Sequence, residues 1–419
     1  NITQKKFLAP DQSNTPHRYR SGKKRYSFQT QIMGAGRFSI RGVGTFLNKS
    51  LILPEEGKKD VSLTIEAKEL HNTGQGLIAS EDLTLRCLGN LLNEGEMRGI
   101  TDLTLDVKGN LENRSKIESL GSLRADVLGN LMNRRGATFT GERLILNVEG
   151  LNLNEGRLSA RFALIKGKLE NFGGITIEEE GEIDSGDGDL INRDTAHIMS
   201  HGVLRLYGQS LLNERGPSSR ALIDARHLMM KVGHVHNDGE VIARESANLH
   251  FPLFVNGPLG IWNLPGSTQT STDNFKNHES VYSENLQMTA GVFENFGRII
   301  SAGIFTIIVE EAFRNVKDAL LSAFQGIFLK GQGKVHNQGI VASHGKVEIE
   351  AAQTLNQGQI LSDEGVGIRT EGGRRSDPNN IPDFMNEGLI LSPDISVDVQ
   401  KGLNKGDGLI AKRSLTLTA

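Results

Sequence analysis

The chain has 419 residues, and its 47 Lys plus Arg nearly balance 50 Asp plus Glu, so overall charge does not bind it to nucleic acid. No apolar run reaches the length of a membrane span, and one cysteine, Cys87, excludes an intrachain disulfide. With 49 Gly, 10 Pro, 4 Tyr and one Trp, the chain is rich in turns and poor in large aromatics.

The opening stretch NITQKKFLAPDQ lacks the apolar core of a signal peptide, which fits a mature or internal piece. HRYRSGKKRYSF follows, with Arg18, Arg20, Lys23, Lys24 and Arg25 around Tyr19 and Tyr26. Such a run can grip an anionic glycan, lipid or nucleic acid, but short basic tails are mostly solvated. Residues 1–40 therefore read as a tail or cap.

From residue 41 onward the chain repeats. LGNLLNEGEM (88–97), KGNLENRSKI (108–117) and LGNLMNRRGA (128–137) share one phrase: an Asn two residues after an apolar residue, usually with Gly two residues later. The series runs Asn48, Asn72, Asn93, Asn113, Asn133, Asn154, Asn171, Asn192, Asn213, Asn237, Asn277, Asn295, Asn315, Asn337, Asn356, Asn386 and Asn404. Most steps are near 20 residues, with steps of 40 after Asn237 and 30 after Asn356. A period of that length means stacked units.

Between anchors the pattern alternates with period two, as strands with one buried face do. In LENRSKIESLGSLRADVLGN the buried set is Ile117 and Ser119, then Leu123, Ala125 and Val127. In VHNQGIVASHGKVEIEAAQT it is Ile340 and Ala342, then Val347 and Ile349. EEAFRNVKDALLSAFQGIFLK offers a helical stripe of Phe313, Val316, Leu320 and Phe324. One period earlier, however, Phe293, Asn295, Ser301 and Ala302 match Phe313, Asn315, Ser322 and Ala323, so this too reads as strand.

Two or three short strands cannot bury an apolar face alone and must stack on their neighbours. The expected fold is all-β: a right-handed single-stranded parallel β-helix of about 17 coils over residues 41–419, rising roughly 4.8 Å per coil to roughly 80 Å. The asparagines should form an internal ladder that bonds turn amides, with Gly two residues on supplying positive φ.

Two segments interrupt the period. FPLFVNGPLGIWNLPGSTQTSTDNF (251–275) holds three prolines and the only tryptophan, and GGRRSDPNNIPDF (372–384) fills the 30-residue step. Both read as inserted loops. A stacked surface is monotonous, so partner contact is expected at Trp262, Arg374 and Arg375, residue types enriched at binding hot spots. The plainer alternative is that Trp262 packs its loop onto the coil beneath.

Candidate chemistry is thin. His234 and His236 could sit on one strand face as zinc ligands do, but His236 precedes its ladder Asn as His71 and His336 precede theirs, which marks a repeat position. DSGDGD (184–189) resembles a calcium loop in Asp184, Asp187 and Asp189 but lacks a closing Glu, and reads as a solvated turn. Cys87 follows the alternation and packs inside. Glu94, Glu155, Glu214 and Glu387 lie scattered at turns, so no catalytic residue, metal or cofactor is expected. The enzymatic alternative is a β-helix polysaccharide lyase or hydrolase, which needs paired carboxylates or acids with an Arg or Lys base.

LLNERG, LNEGRLSA and VHNQGIVAS resemble the filamentous-haemagglutinin repeats of large bacterial exoproteins, over about residues 41–419. These are passengers of two-partner secretion, among them adhesins and contact-dependent toxin carriers. The resemblance implies a secreted or bacterial cell-surface protein, a non-catalytic rod acting in adhesion or as a stalk for toxin delivery. It implies as partners a cell-surface receptor or glycan, other parts of the same exoprotein, and an outer-membrane transporter during export; no nucleic acid is implied. The Asn-Pro-Asn signature of the family's secretion domain has its nearest counterpart in DPNNIP (377–382), far from the N-terminus.

Overall fold

The structure, a computed structural model, describes residues 18–19, 26–28, 32–34, 36–42, 44–54, 60–217, 219–370, 382–405 and 408–418. Among them every regular element is a β-strand, and the strand pairings are parallel with register from coil to coil. The fold is a parallel β-solenoid of about 18 turns. It divides into two compact units, residues 1–209 and 210–419.

One coil of the first unit shows why this sequence folds so. Leu111–Asn113, Lys116–Ser119 and Ser122–Val127 are its three strands. Leu111 pairs with Leu91 on one side and Leu131 on the other, and Asn113 with Asn93 and Asn133. Ile117, Leu123 and Ala125 are fully buried, as period two requires, and Ser119 and Val127 nearly so. Each fully buried aliphatic side chain contributes about 1.5–3 kcal/mol, and only the neighbouring coils can provide that burial.

The asparagines form the ladder. Asn93 Nδ2 donates to Asn113 Oδ1 at 2.9 Å, and Asn113 Nδ2 to Asn133 Oδ1 at 3.0 Å. In the second unit Asn295 donates to Asn315 at 2.9 Å and Asn315 to Asn337 at 2.8 Å. The second amide hydrogen goes to a backbone carbonyl of the next coil, as from Asn93 to Lys116 O at 3.1 Å. Here the expectation is corrected. Turn amides bond mainly to backbone carbonyls of the preceding coil, as Glu94 N to Asn72 O at 2.7 Å. Ladder Asn oxygens reach turn amides only at 3.3 Å, at Ser50, Ser115, Gly173 and Gly297, whereas outside the ladder Asn90, Asn110 and Asn130 accept from the next coil's amides at 2.8 Å.

The glycines two residues after the ladder are also explained differently. Positive φ occurs in the wider corners, at Gly136, Asp194 and Asp318. Gly95 and Gly358 are not in that region; a Cβ on either would stand 2.1 Å and 2.0 Å from the carbonyl oxygens of Gly76 and Gly339. Close stacking, not backbone handedness, demands them.

Residues 251–275 are not a projecting loop. Asn256 belongs to the ladder, accepting from Asn237 at 3.0 Å and donating to Asn277 at 2.8 Å, so the 40-residue step is two ordinary coils. Leu253–Asn256 and Ile261–Asn277 are strands in the stack. The boundary expected at residue 41 falls inside the stacked strands, because Tyr26–Phe28 pairs with Phe46–Asn48 and Ile32–Gly34 with Ile52–Pro54. Most of 372–384 lies outside the described residues.

Two alternation details are corrected as well. Val341 points inward and Ile340 outward, with Ile340 36% exposed. Ser301 pairs with Ala323, not Ser322, because the Val316–Ala319 corner holds extra residues between ladder and strand. The 310–330 segment is strand throughout its regular parts, as its likeness to the preceding coil indicates.

Candidate functional site

Trp262, expected at a partner contact, is a core residue. Its side chain is 2% exposed, between Val241 and Val281 on adjacent strands. Its ring meets Phe254 edge-on at 5.0 Å and Phe251 at 6.3 Å. A ring so enclosed presents nothing to a partner, so the contact expected of Trp262 is corrected to packing. Arg374 and Arg375 lie outside the described residues, as do Arg20, Lys23, Lys24 and Arg25 of the basic run.

The remaining candidates resolve into repeat architecture. His236 Nε2 lies 2.8 Å from Asp238 Oδ2, His71 Nε2 2.8 Å from Glu94 Oε2 and His336 Nε2 2.8 Å from Gln357 Oε1, each beside the ladder. No cluster of three metal-ligating side chains occurs among the described residues. In the 184–189 turn, Asp184 Oδ1 accepts from Gly186 N at 2.9 Å and Ser185 Oγ donates to Gly188 O at 3.0 Å, an Asx turn with Gly186 at φ +58°. Cys87 is buried, and burial, aided by Asp106, raises its thiol pKa to about 12. It remains a protonated core thiol.

Register brings together a group that sequence reading missed. On the outward face of the first unit, Arg37, Ser62, Asp82 and Asp102 form one column, and Arg41, Glu66, Arg86 and Asp106 another. Arg37, Arg41, Ser62, Thr64, Glu66 and Arg86 line a shallow groove there. Glu66 is clamped by Arg41 at 2.8 Å and Arg86 at 3.1 Å, while Arg37, in the other column, lies within electrostatic reach of Asp82. Burial, then repulsion from Asp102, Glu81 and Asp60, raises the Asp82 carboxyl above its ordinary range, while Arg37 opposes the rise. The signal was in the sequence: SEDLTLRC and ITDLTLDV place Asp82 and Asp102 at one repeat position.

Elsewhere acids are tied to bases of the same or an adjacent coil. Glu94 is held by His71 and Arg114, Glu112 by Arg114 and Arg134, Glu155 by Arg134. The hydrogen bond from His71, then Arg114, holds the Glu94 carboxyl below its ordinary range. For Glu112 burial pushes upward, but the two arginines outweigh it and lower the value. Carboxylates kept ionised this way are structural counter-ions, not proton donors.

A sequence description of the haemagglutinin repeat matches residues 60–115, 120–184, 285–376 and 386–419, more than half of the chain. The chain belongs to the haemagglutinin-repeat family. No curated protein and no solved structure matches it. In the unmatched residues 185–284, Asn192 of the first unit and Asn213, Asn237, Asn256 and Asn277 of the second are likewise fully buried. Repeat geometry therefore persists where the repeat sequence has drifted.

Proposed function

We propose that this haemagglutinin-repeat chain is a non-catalytic structural stretch of a secreted or surface-displayed bacterial exoprotein, acting in adhesion or as the stalk that carries a toxin. Membership of the family and the solenoid support an adhesin-like part. The observation that carries the reading is the use of side chains: inward positions fill the core and ladder, and many outward charges pair with neighbouring coils. Such a surface displays binding groups at fixed spacing rather than converging them on a reacting bond. The groove around Arg37 is the place where an acidic cell-surface glycan would be held, by arginine and hydroxyl donors. Export through an outer-membrane transporter, expected from the resemblance, belongs to the same proposal.

Binding of the purified chain to cells and to immobilised acidic glycans tests this, with Arg37→Ala as the comparison. Saturable binding, weakened by the substitution, is the expected result. Incubation with acidic and neutral polysaccharides should release no reducing or unsaturated ends. Cleavage that vanishes in Asp82→Asn or Asp102→Asn would replace this reading with a polysaccharide-cleaving one.

A further inference from the structure

The second unit has an outward sheet face unlike its counterpart in the first. Its strands are Ser280–Ser283, Arg298–Ser301, Leu320–Ala323, Ile340–Ser343 and Gln359–Ser362, continued by the first halves of Leu389–Asp398 and Gly408–Thr418. Tyr282, Ile300, Leu320, Ile340, Leu361 and Leu391 all point outward along it. Phe324, 60% exposed, stands at its corner. In the first unit the corresponding strands carry Glu96, Arg98, Lys116 and Glu118, joined as ion pairs. Outward aliphatics, interrupted only by Arg298, Ser322 and Gln359 in the five short strands and with aromatics at the rim, mark an interaction surface.

We infer that this face joins two copies of the chain, laid face to face with their stacks antiparallel about a two-fold axis through Ile340. Flat strands at a constant spacing complement another surface of the same spacing, and a second copy supplies one. Seven strands at about 4.8 Å give a face about 30 Å tall. Strands of four residues make it about 13 Å wide, so the face alone would bury about 800 Å² in total, a small contact that the charges at its corners reinforce.

The charges choose the antiparallel arrangement. Exposed Glu279 and Glu284 flank the first strand of the face, and exposed Lys405 and Lys412 flank the last. Glu284 and Lys412 occupy the corner after the strand, Glu279 and Lys405 the ladder corner. The axis along the strands through Ile340 sets each glutamate against the partner's lysine of the same corner. It also turns Arg298 toward the partner's Glu387. Parallel stacks would oppose like charges instead.

Sedimentation equilibrium of the whole chain reads the outcome. The unaltered protein should dimerise with concentration, and Ile340→Lys, which places two ammonium groups at the axis, should weaken dimerisation by about 100-fold or more. Glu284→Lys and Lys412→Glu should each weaken it by about 3–10-fold, and the two together should restore it, which loss of fold cannot imitate. A monomer at all concentrations, or a dimer indifferent to Ile340→Lys and the charge swap, overturns the inference. So does a monomer that binds phosphatidylcholine vesicles through Ile340, which would assign the face to lipid.

Discussion

Each unit keeps an asparagine ladder, and the two fill the column beside it differently. Two residues before the ladder asparagine, the first unit has Phe46, then Leu70, Leu91, Leu111, Leu131, Leu169 and Leu190, with Asn152 interrupting the leucines. The second opens with Leu211 and Val235, continues with Phe254, Phe275, Phe293 and Phe313, and ends with Val335, Thr354, Phe384 and Gly402. Its rings stack at 4.8–5.0 Å, with Phe293 and Phe313 within 5° of parallel. That distance is the inter-strand spacing, imposed by the backbone. The ladder fixes the path of the chain; the column can take any side chain that fills the space.

The largest effect should come from emptying the aromatic column. Phe293→Ala should cost about 3–5 kcal/mol and Leu111→Ala less, because the leucine removes fewer atoms and breaks no ring pairs. Urea unfolding of the two proteins checks this, and equal losses would mean that the stacked rings add nothing beyond their bulk.

Next comes the element the units share. Asn133→Leu strips buried partners from Asn113, Asn154 and Arg157 O, and should cost about 2–4 kcal/mol. Asn404→Leu, at an exposed position with a bond to Asn386, should cost well under that. Thermal melts that coincide for these two variants would contradict a ladder whose value depends on burial.

The interruptions of both columns should respond the other way. Asn152 is fully buried with neither Oδ1 nor Nδ2 hydrogen-bonded, and Thr354 Oγ1 is equally unpartnered. Asn152→Leu, which continues the leucine column, should stabilise by about 1–3 kcal/mol, and Thr354→Val by about 1 kcal/mol. A lower unfolding midpoint for Asn152→Leu would show that the amide has a partner and the column is broken for a reason.

The smallest effect is that of pH. Glu94 and Glu112 have lowered pKa values, so in the acid range the unfolded chain binds protons that the folded chain does not. Their contribution is present above the ordinary carboxylate range and is lost as pH falls through it toward the folded value. In the second unit Asp394, bonded to Arg413 and Ser414, is lowered to about 2, so its share should persist to lower pH. All these groups are partly exposed, so salt should shrink the effect. Acid titration of stability, run with Glu112→Gln as reference, checks the sign; stability that climbs from pH 6 to pH 3 would be the wrong one.

What was legible in the sequence is what each coil must satisfy for itself. The period, the alternation at Ile117 to Val127 and the asparagine series follow from backbone geometry that recurs every turn, so the residues repeat. Asn256 escaped because its Gly follows at once rather than two residues later, amid prolines and tryptophan that read as loop chemistry. Only stacking decided that Trp262 is core, since its burial depends on Phe251 and Phe254 in the preceding stretch and Val281 in the next coil. Register likewise decided that Asp82 meets Asp102 near Arg37, and that Ile340 faces outward where period counting placed it within. Period two states which residues share a face, but a one-residue change at a corner exchanges the faces. Corner length is fixed by the coils above and below, and this is the part that tertiary structure alone supplies.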